Sequence, residues 1–257
     1  MNRNNLSIML AATIVMPWPE KVWGAPDVAV DLSMTYASKY IWRGYDVWND
    51  EGAVQPDLFF DFTTVSLYAG IWASLVTDDQ CIDGFGDHCA SWNERDYYLG
   101  HYGTLLDGKP LQIDYDISYT YFDFYRQSDS DTQELGLLVK HPKLIENVGV
   151  PYWGMYYGWP VSGVGHSKFF KLGLESTFNL AGQALNTVIE TVWDDGAGGF
   201  GVGEGISHVK VGIGTPTTLG GIGFEPSIYY QWAINDDVPG ALLEDEFWVE
   251  LSFNYSF

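Results

Sequence analysis

From Phe247 to Phe257 apolar and polar residues alternate without a break. Phe247, Val249, Leu251, Phe253, Tyr255 and Phe257 share one face, and Trp248, Glu250, Ser252, Asn254 and Ser256 share the other. A period of two with one apolar face is the pattern of a β-strand whose two sides meet different media. Eleven further stretches repeat it: 28–43, 52–62, 65–75, 93–105, 111–124, 132–141, 151–159, 168–178, 184–193, 203–214 and 223–234. Each is close to, or slightly longer than, the roughly 9–11 residues that a tilted strand needs to cross a bilayer. About twelve strands are therefore predicted, an even number that leaves both chain ends on the same side of a membrane.

The links between these stretches alternate in length as the count requires. Thr63-Thr64, Asp107-Gly108-Lys109, Ala181-Gly182 and residues 215–221 are compact turns at even positions. Residues 45–51, 77–91, 125–131, 194–203 and 235–246 are longer, acidic and at odd positions, the order of periplasmic turns and extracellular loops. Residues 141–150 form the one long even link. Trp42, Trp72, Trp159, Trp193 and Trp232 fall near the outer ends of their strands. Indole prefers the membrane–water boundary, so these five are expected in an interfacial girdle.

Composition supports a membrane barrel. Aromatic residues make up 16% of the chain and charged residues only 18%, against roughly 25% in average soluble proteins. Hydrophobic residues reach 46%, yet mean hydropathy is −0.07, so apolar and polar positions are finely interleaved. The N-terminus has Arg3, then the apolar stretch of residues 6–16, then a segment in which cleavage after Gly24 fits an export signal. That stretch is too short for a helical span, and no later apolar run reaches the about 18 residues one needs. The domain reading is a signal peptide at 1–24 and an antiparallel up-and-down transmembrane β-barrel at 25–257, all-β in class.

A formal net charge of −22 excludes a nucleic-acid partner, since a phosphate backbone demands a basic surface. It also disfavours attachment to anionic lipid through lysines and arginines. In a barrel such charge belongs in loops or on the inner wall, because Lys or Arg facing lipid at mid-membrane costs about 2–4 kcal/mol. Strand parity places Lys39, Arg43, Asp57, Asp61, Glu94, Asp96, Asp114, Asp116, Glu134, Glu190 and Glu250 inward as lumen-lining residues. Asp31, Lys140, Lys171, Glu175, Lys210, Glu225 and Glu246 join them. About thirteen inward carboxylates then face about five cations, which gives a hydrated lumen a negative potential. Two readings follow: a narrow cation-preferring channel with a constriction led by Lys39 and Arg43, or a non-conducting structural or surface-binding barrel with an ion-pair-filled lumen, whose acidic loops bind a surface partner. Small polar solutes or cations are the partners of the first reading. Outer-membrane lipid and lipopolysaccharide surround either, as a monomer or weak associate.

Cys81 and Cys89 flank a short polar loop, and two cysteines in an exported chain are expected to pair as a disulfide. A metal held with His88 lacks the ligand number of a stable site, and Asp78, Asp79, Asp83 and Asp87 lack the spacing of a calcium loop. Ser207 and His208 are adjacent, and strand alternation sends them to opposite faces. The glycines of residues 201–205 have no strand-to-helix context, and Ser162-Gly163 has no nucleophile-elbow framing. No catalytic constellation, cofactor or metal is expected.

Several motifs in order carry a resemblance: Tyr40-Ile41-Trp42-Arg43-Gly44, Pro56, Tyr68-Ala69-Gly70-Ile71-Trp72-Ala73-Ser74, Glu94 with Asp96, Tyr119-Thr120-Tyr121 and Glu134-Leu135. Together they resemble the TorF-type porins, a family of bacterial outer-membrane barrels of unassigned role. The stretch from Cys81 to Cys89 departs from that pattern, so nothing about this loop carries over. The final strand ending on Phe257 resembles the closing strand of outer-membrane barrels, which implies the barrel assembly machinery as a partner. The resemblance implies a pore-like barrel and leaves the substrate open.

Overall fold

The alternation is realised as one closed antiparallel sheet in a computed structural model of the chain, which describes residues 27–77, 94–124, 130–197, 203–235 and 243–257. Among these, twelve strands form the wall: β1 (Val28–Ala37), β4 (Ala53–Phe62), β5 (Leu67–Val76), β6 (Glu94–Leu105), β7 (Ile113–Phe124), β8 (Thr132–Lys140), β9 (Val150–Pro160), β10 (Ser167–Leu180), β11 (Gln183–Asp194), β12 (Gly205–Gly214), β14 (Ile222–Ala233) and β15 (Glu246–Ser256). Each pairs with its chain neighbour. β1 closes onto β15 with Leu32 opposite Tyr255, so no sheet edge is left. The short β13 (Thr217–Leu219) only extends the turn before β14. A separate two-stranded hairpin, β2 (Ile41–Trp42) with β3 (Tyr45–Asp46), lies between β1 and β4.

Eleven of the twelve expected strands agree with the structure to within one or two residues. Residues 141–149 form a run of turns closed by an Ile145–Gly149 bridge, so the long even link is a compact structure of its own. The signal segment and both cysteines lie outside the described residues. Leu32, Met34, Leu99, Ile117, Leu135, Leu172, Ile189, Ile228 and Phe247 are all exposed on the outer face. An apolar belt of this kind is stable only against lipid, which places the barrel in the outer membrane of a Gram-negative bacterium.

The first strand is the exception. Period-two alternation continues to Arg43, but β1 stops at Ala37. The Ser38 amide donates to the Val249 carbonyl (2.9 Å) and the Val249 amide donates to Ser38 Oγ (3.0 Å), and these bonds end the strand. The chain then folds back into the barrel as the β2–β3 hairpin. Trp159, Trp193 and Trp232 sit on the outer face as expected, whereas Trp42 and Trp72 do not. Trp42 belongs to the hairpin, and Trp72 has inward parity and packs on Tyr40 with ring centroids 5.6 Å apart.

With every wall strand paired, the barrel should stay folded in detergent until heated. Unboiled and boiled samples are expected to migrate differently on a denaturing gel; identical migration would contradict closure.

Candidate functional site in the lumen

The buried apolar clusters lie inside the barrel, between the hairpin and the wall. Tyr45 is buried with Phe169, Val192 and Leu243, while Tyr40 and Trp48 are buried with Ala53. The first cluster is flanked by Trp42 and Tyr156, the second by Val47 and Trp72. Burial of these aromatic rings is the main force holding residues 38–52 in the lumen, at about 25 cal/mol per Å² of apolar surface.

Turn chemistry shapes the tip. Trp42 pairs with Tyr45, so Arg43 and Gly44 form a two-residue loop, and both have positive φ (50° and 92°). That is the backbone of a type I′ hairpin turn, which favours glycine at its second position. Gly44 is also fixed by contact, because a Cβ there would overlap the His208 ring. Its carbonyl accepts from Gln231 Nε2 at 2.6 Å.

Arg43, at the tip, donates to both oxygens of Glu134 at 2.6 Å. Its guanidinium lies 4.2–4.5 Å from the ring centres of Tyr156, Trp42 and Phe169. A bidentate pair shielded by aromatic faces is a strong anchor, and removing one partner of a buried pair costs about 3–5 kcal/mol. Around the rim, Tyr45 donates to Asp194 and Trp48 Nε1 donates to Ser74 Oγ at 3.0 Å. Lys39 is paired with both Asp50 and Glu246. Asp46 accepts from the amides of Trp48 (3.2 Å) and Asp50 (2.6 Å), and burial pushes its carboxyl up to about 6.

Residues 24–191 match the Gcw_chp family, described as bacterial proteins of unknown function. The chain belongs to this family. No curated protein matches it in sequence. In fold it is similar to the NanC porin, with 7% identity and a TM-score of 0.52 over 88% of this chain and 98% of that one. It is also similar to an outer-membrane channel from Pseudomonas putida F1, with 10% identity and a TM-score of 0.54 over 95% and 100%.

In this Gcw_chp barrel the inward carboxylates divide by wall. On β4 and β7, Asp57, Asp61 and Asp116 accept from the hydroxyls of Tyr98 (2.7 Å), Tyr102 (2.9 Å) and Tyr68 (2.7 Å). Asp114 accepts from Thr104 Oγ1 at 2.8 Å. Across the lumen, Glu190 meets Lys210 (2.8 Å), Lys171 (3.4 Å) and Tyr152 (2.7 Å). Lys140 meets Glu175 at 2.9 Å. Asn186 donates to Glu225 at 3.0 Å, Trp248 donates to Glu250 at 2.9 Å, and Ser256 donates to Asp31. Glu94 and Asp96 stand apart from these pairs, under the base of the hairpin.

Three corrections follow. Arg43 enters the lumen at the hairpin tip and Lys39 lies at the rim just before the hairpin, neither of them on a wall strand, because β1 ends at Ala37. Of residues 45–51, Tyr45, Asp46 and Trp48 are buried inside the barrel rather than solvated outside it, and only Asn49 and Asp50 are exposed. Ser207 and His208 meet despite their adjacency: a bulge opposite Val192 and Trp193 breaks the alternation, and Ser207 Oγ lies 2.9 Å from His208 Nδ1. The Ser207 hydroxyl donates to the Val192 carbonyl at 3.1 Å, which leaves its oxygen to accept from the imidazole. The sequence reading missed His208, Gln231, Asp194 and Ser74 as the hairpin's receptors. Two signals were available: the aromatic content of the first loop, and Arg-Gly as turn chemistry.

Proposed function

We propose that the chain forms a narrow, cation-preferring outer-membrane channel for the passive passage of small polar solutes or ions, constricted at its outer end by the β2–β3 hairpin. The inner wall carries the reading. Below the hairpin the side chains of Glu175 and Lys210 keep 27% and 24% of their exposure, while their partners Lys140 and Glu190 are buried. Carboxylates outnumber cations there, and low-dielectric walls focus the resulting field on permeating ions. The porin-like fold and the TorF-type resemblance are consistent with it.

In a planar bilayer under a salt gradient, the reversal potential should fall on the cation-selective side. Changing Asp57, Asp61, Asp114 and Asp116 together to Asn should weaken the preference. High salt should blunt it, because the screening length falls to about 3 Å at 1 M. Anion selectivity would overturn the proposal. A second reading, a non-conducting barrel, is favoured by the two apolar clusters that tie the hairpin to the wall, and absence of conductance across independent preparations would select it.

A further inference from the structure

Among the described residues, the inward carboxylates have hydrogen-bonding or cationic partners, with one local exception. Glu94 and Asp96 are two residues apart on β6, so their side chains share the inner face. Glu94 is 3% exposed. Its Oε2, like Oδ1 of Asp96, is shut off from solvent and accepts no hydrogen bond. The other Glu94 oxygen interacts with the Tyr40 hydroxyl at the base of the hairpin.

Nearby cations are committed elsewhere. Arg43 is held by both oxygens of Glu134. Arg95 has the opposite parity and meets Asp123 at 2.7 Å. Asp96 is flanked in the sheet by Trp72 and Phe122, so its surroundings are aromatic. Two adjacent carboxylates in such a place are unstable as a bare pair of anions, because burial removes their hydration and their charges repel.

We propose that Glu94 and Asp96 form a binding site for a hard divalent cation of the calcium class, in contact with the hairpin through Tyr40. A dication balances the two charges. The donors are all oxygen, with neither imidazole nor thiolate to select a transition metal. Calcium accepts irregular oxygen shells, whereas magnesium holds its waters and demands an octahedron that an aromatic recess does not offer. The negative lumen concentrates such ions at the site. The site rests on the burial of this pair and holds whether or not the barrel conducts.

Terbium tests it, since Trp72 and Tyr40 can sensitise the luminescence of a lanthanide bound at calcium sites. Refolded full-length barrel should show one saturable sensitised component that calcium displaces. Glu94→Gln with Asp96→Asn should weaken it about a hundredfold, given how strongly such affinity depends on ligand charge. Heat-modifiable migration of that variant checks that it is folded. Trp72→Phe, which leaves both carboxylates in place, should dim the emission without changing calcium competition. Asp50→Asn should leave the component intact, separating it from the Lys39–Asp50–Glu246 cluster at the mouth. Survival of the component in the folded double variant overturns the proposal, as does its loss in Asp50→Asn. Absence of a saturable component overturns it too, and a protonated-carboxyl infrared band lost in the double variant would then identify a shared proton as the occupant.

Discussion

Gly44→Val should open the barrel. Valine at this position meets two obstacles at once: a backbone with φ of 92°, and a Cβ that overlaps the His208 ring. A β-branched residue at positive φ costs about 1–3 kcal/mol, and forcing atoms into a packed contact costs a similar amount. The wall strands do not depend on Gly44, because their ladders close without the hairpin. The strain is therefore relieved by moving the hairpin, and the ratio of hairpin-out to hairpin-in states should rise at least about tenfold. Single-channel recording should show a higher open probability, with heat-modifiable migration unchanged. Adding His208→Ala should reverse part of the effect, since it removes the overlap and leaves the φ strain. Wild-type conductance and open probability in Gly44→Val would show that the hairpin does not constrict the pore.

The contrast between wall and hairpin explains what could be read from the sequence. A wall strand answers to two media that alternate with period two, so its parity and ends are written locally. Eleven strands followed from that rule, and the same parity is what assigns Asp57, Glu94, Asp116 and Glu190 to the inner face. The rule failed where both faces of a segment meet protein. Alternation runs on through Tyr40 and Trp42 to Arg43, but the apolar side chains of this segment pack against Phe169, Val192 and Ala53 rather than lipid. Alternation reports that a medium is apolar and not which one it is. The bulge at Ser207 was hidden for a related reason: one extra residue changes parity without any change in composition. Arg-Gly was the overlooked cue, because a turn that demands positive φ is incompatible with a strand running on through Arg43.

Gly100→Ala should destabilise the barrel more than any other single-methyl addition on β5 or β6. On these strands two tyrosines cross in opposite directions. Tyr68 lies over Gly100, its partner in the sheet, and reaches Asp116 on β7; Tyr98 lies over Gly70 and reaches Asp57 on β4. Tyr152 repeats the device, passing over Gly173 to reach Glu190. Each ring spans three strands, and it can do so only because the middle residue has no side chain. A Cβ on Gly100 would overlap the Tyr68 ring and stand 2.7 Å from the Ile117 carbonyl, which cannot rotate away as a side chain could. Overpacking costs about 1–3 kcal/mol, and a buried carboxylate left without its donor costs a comparable amount. The temperature at which the folded band disappears from the gel should therefore fall sharply. Tyr68→Phe, which keeps the ring and loses only the hydroxyl's bonds to Asp116 and Ser118, should produce a smaller fall. In a Tyr68→Ala background, Gly100→Ala should cost much less than in the wild type, since only the carbonyl contact remains. Strict additivity of the two substitutions would show that the ring and the glycine are not coupled, and the three-strand staple would have to be abandoned.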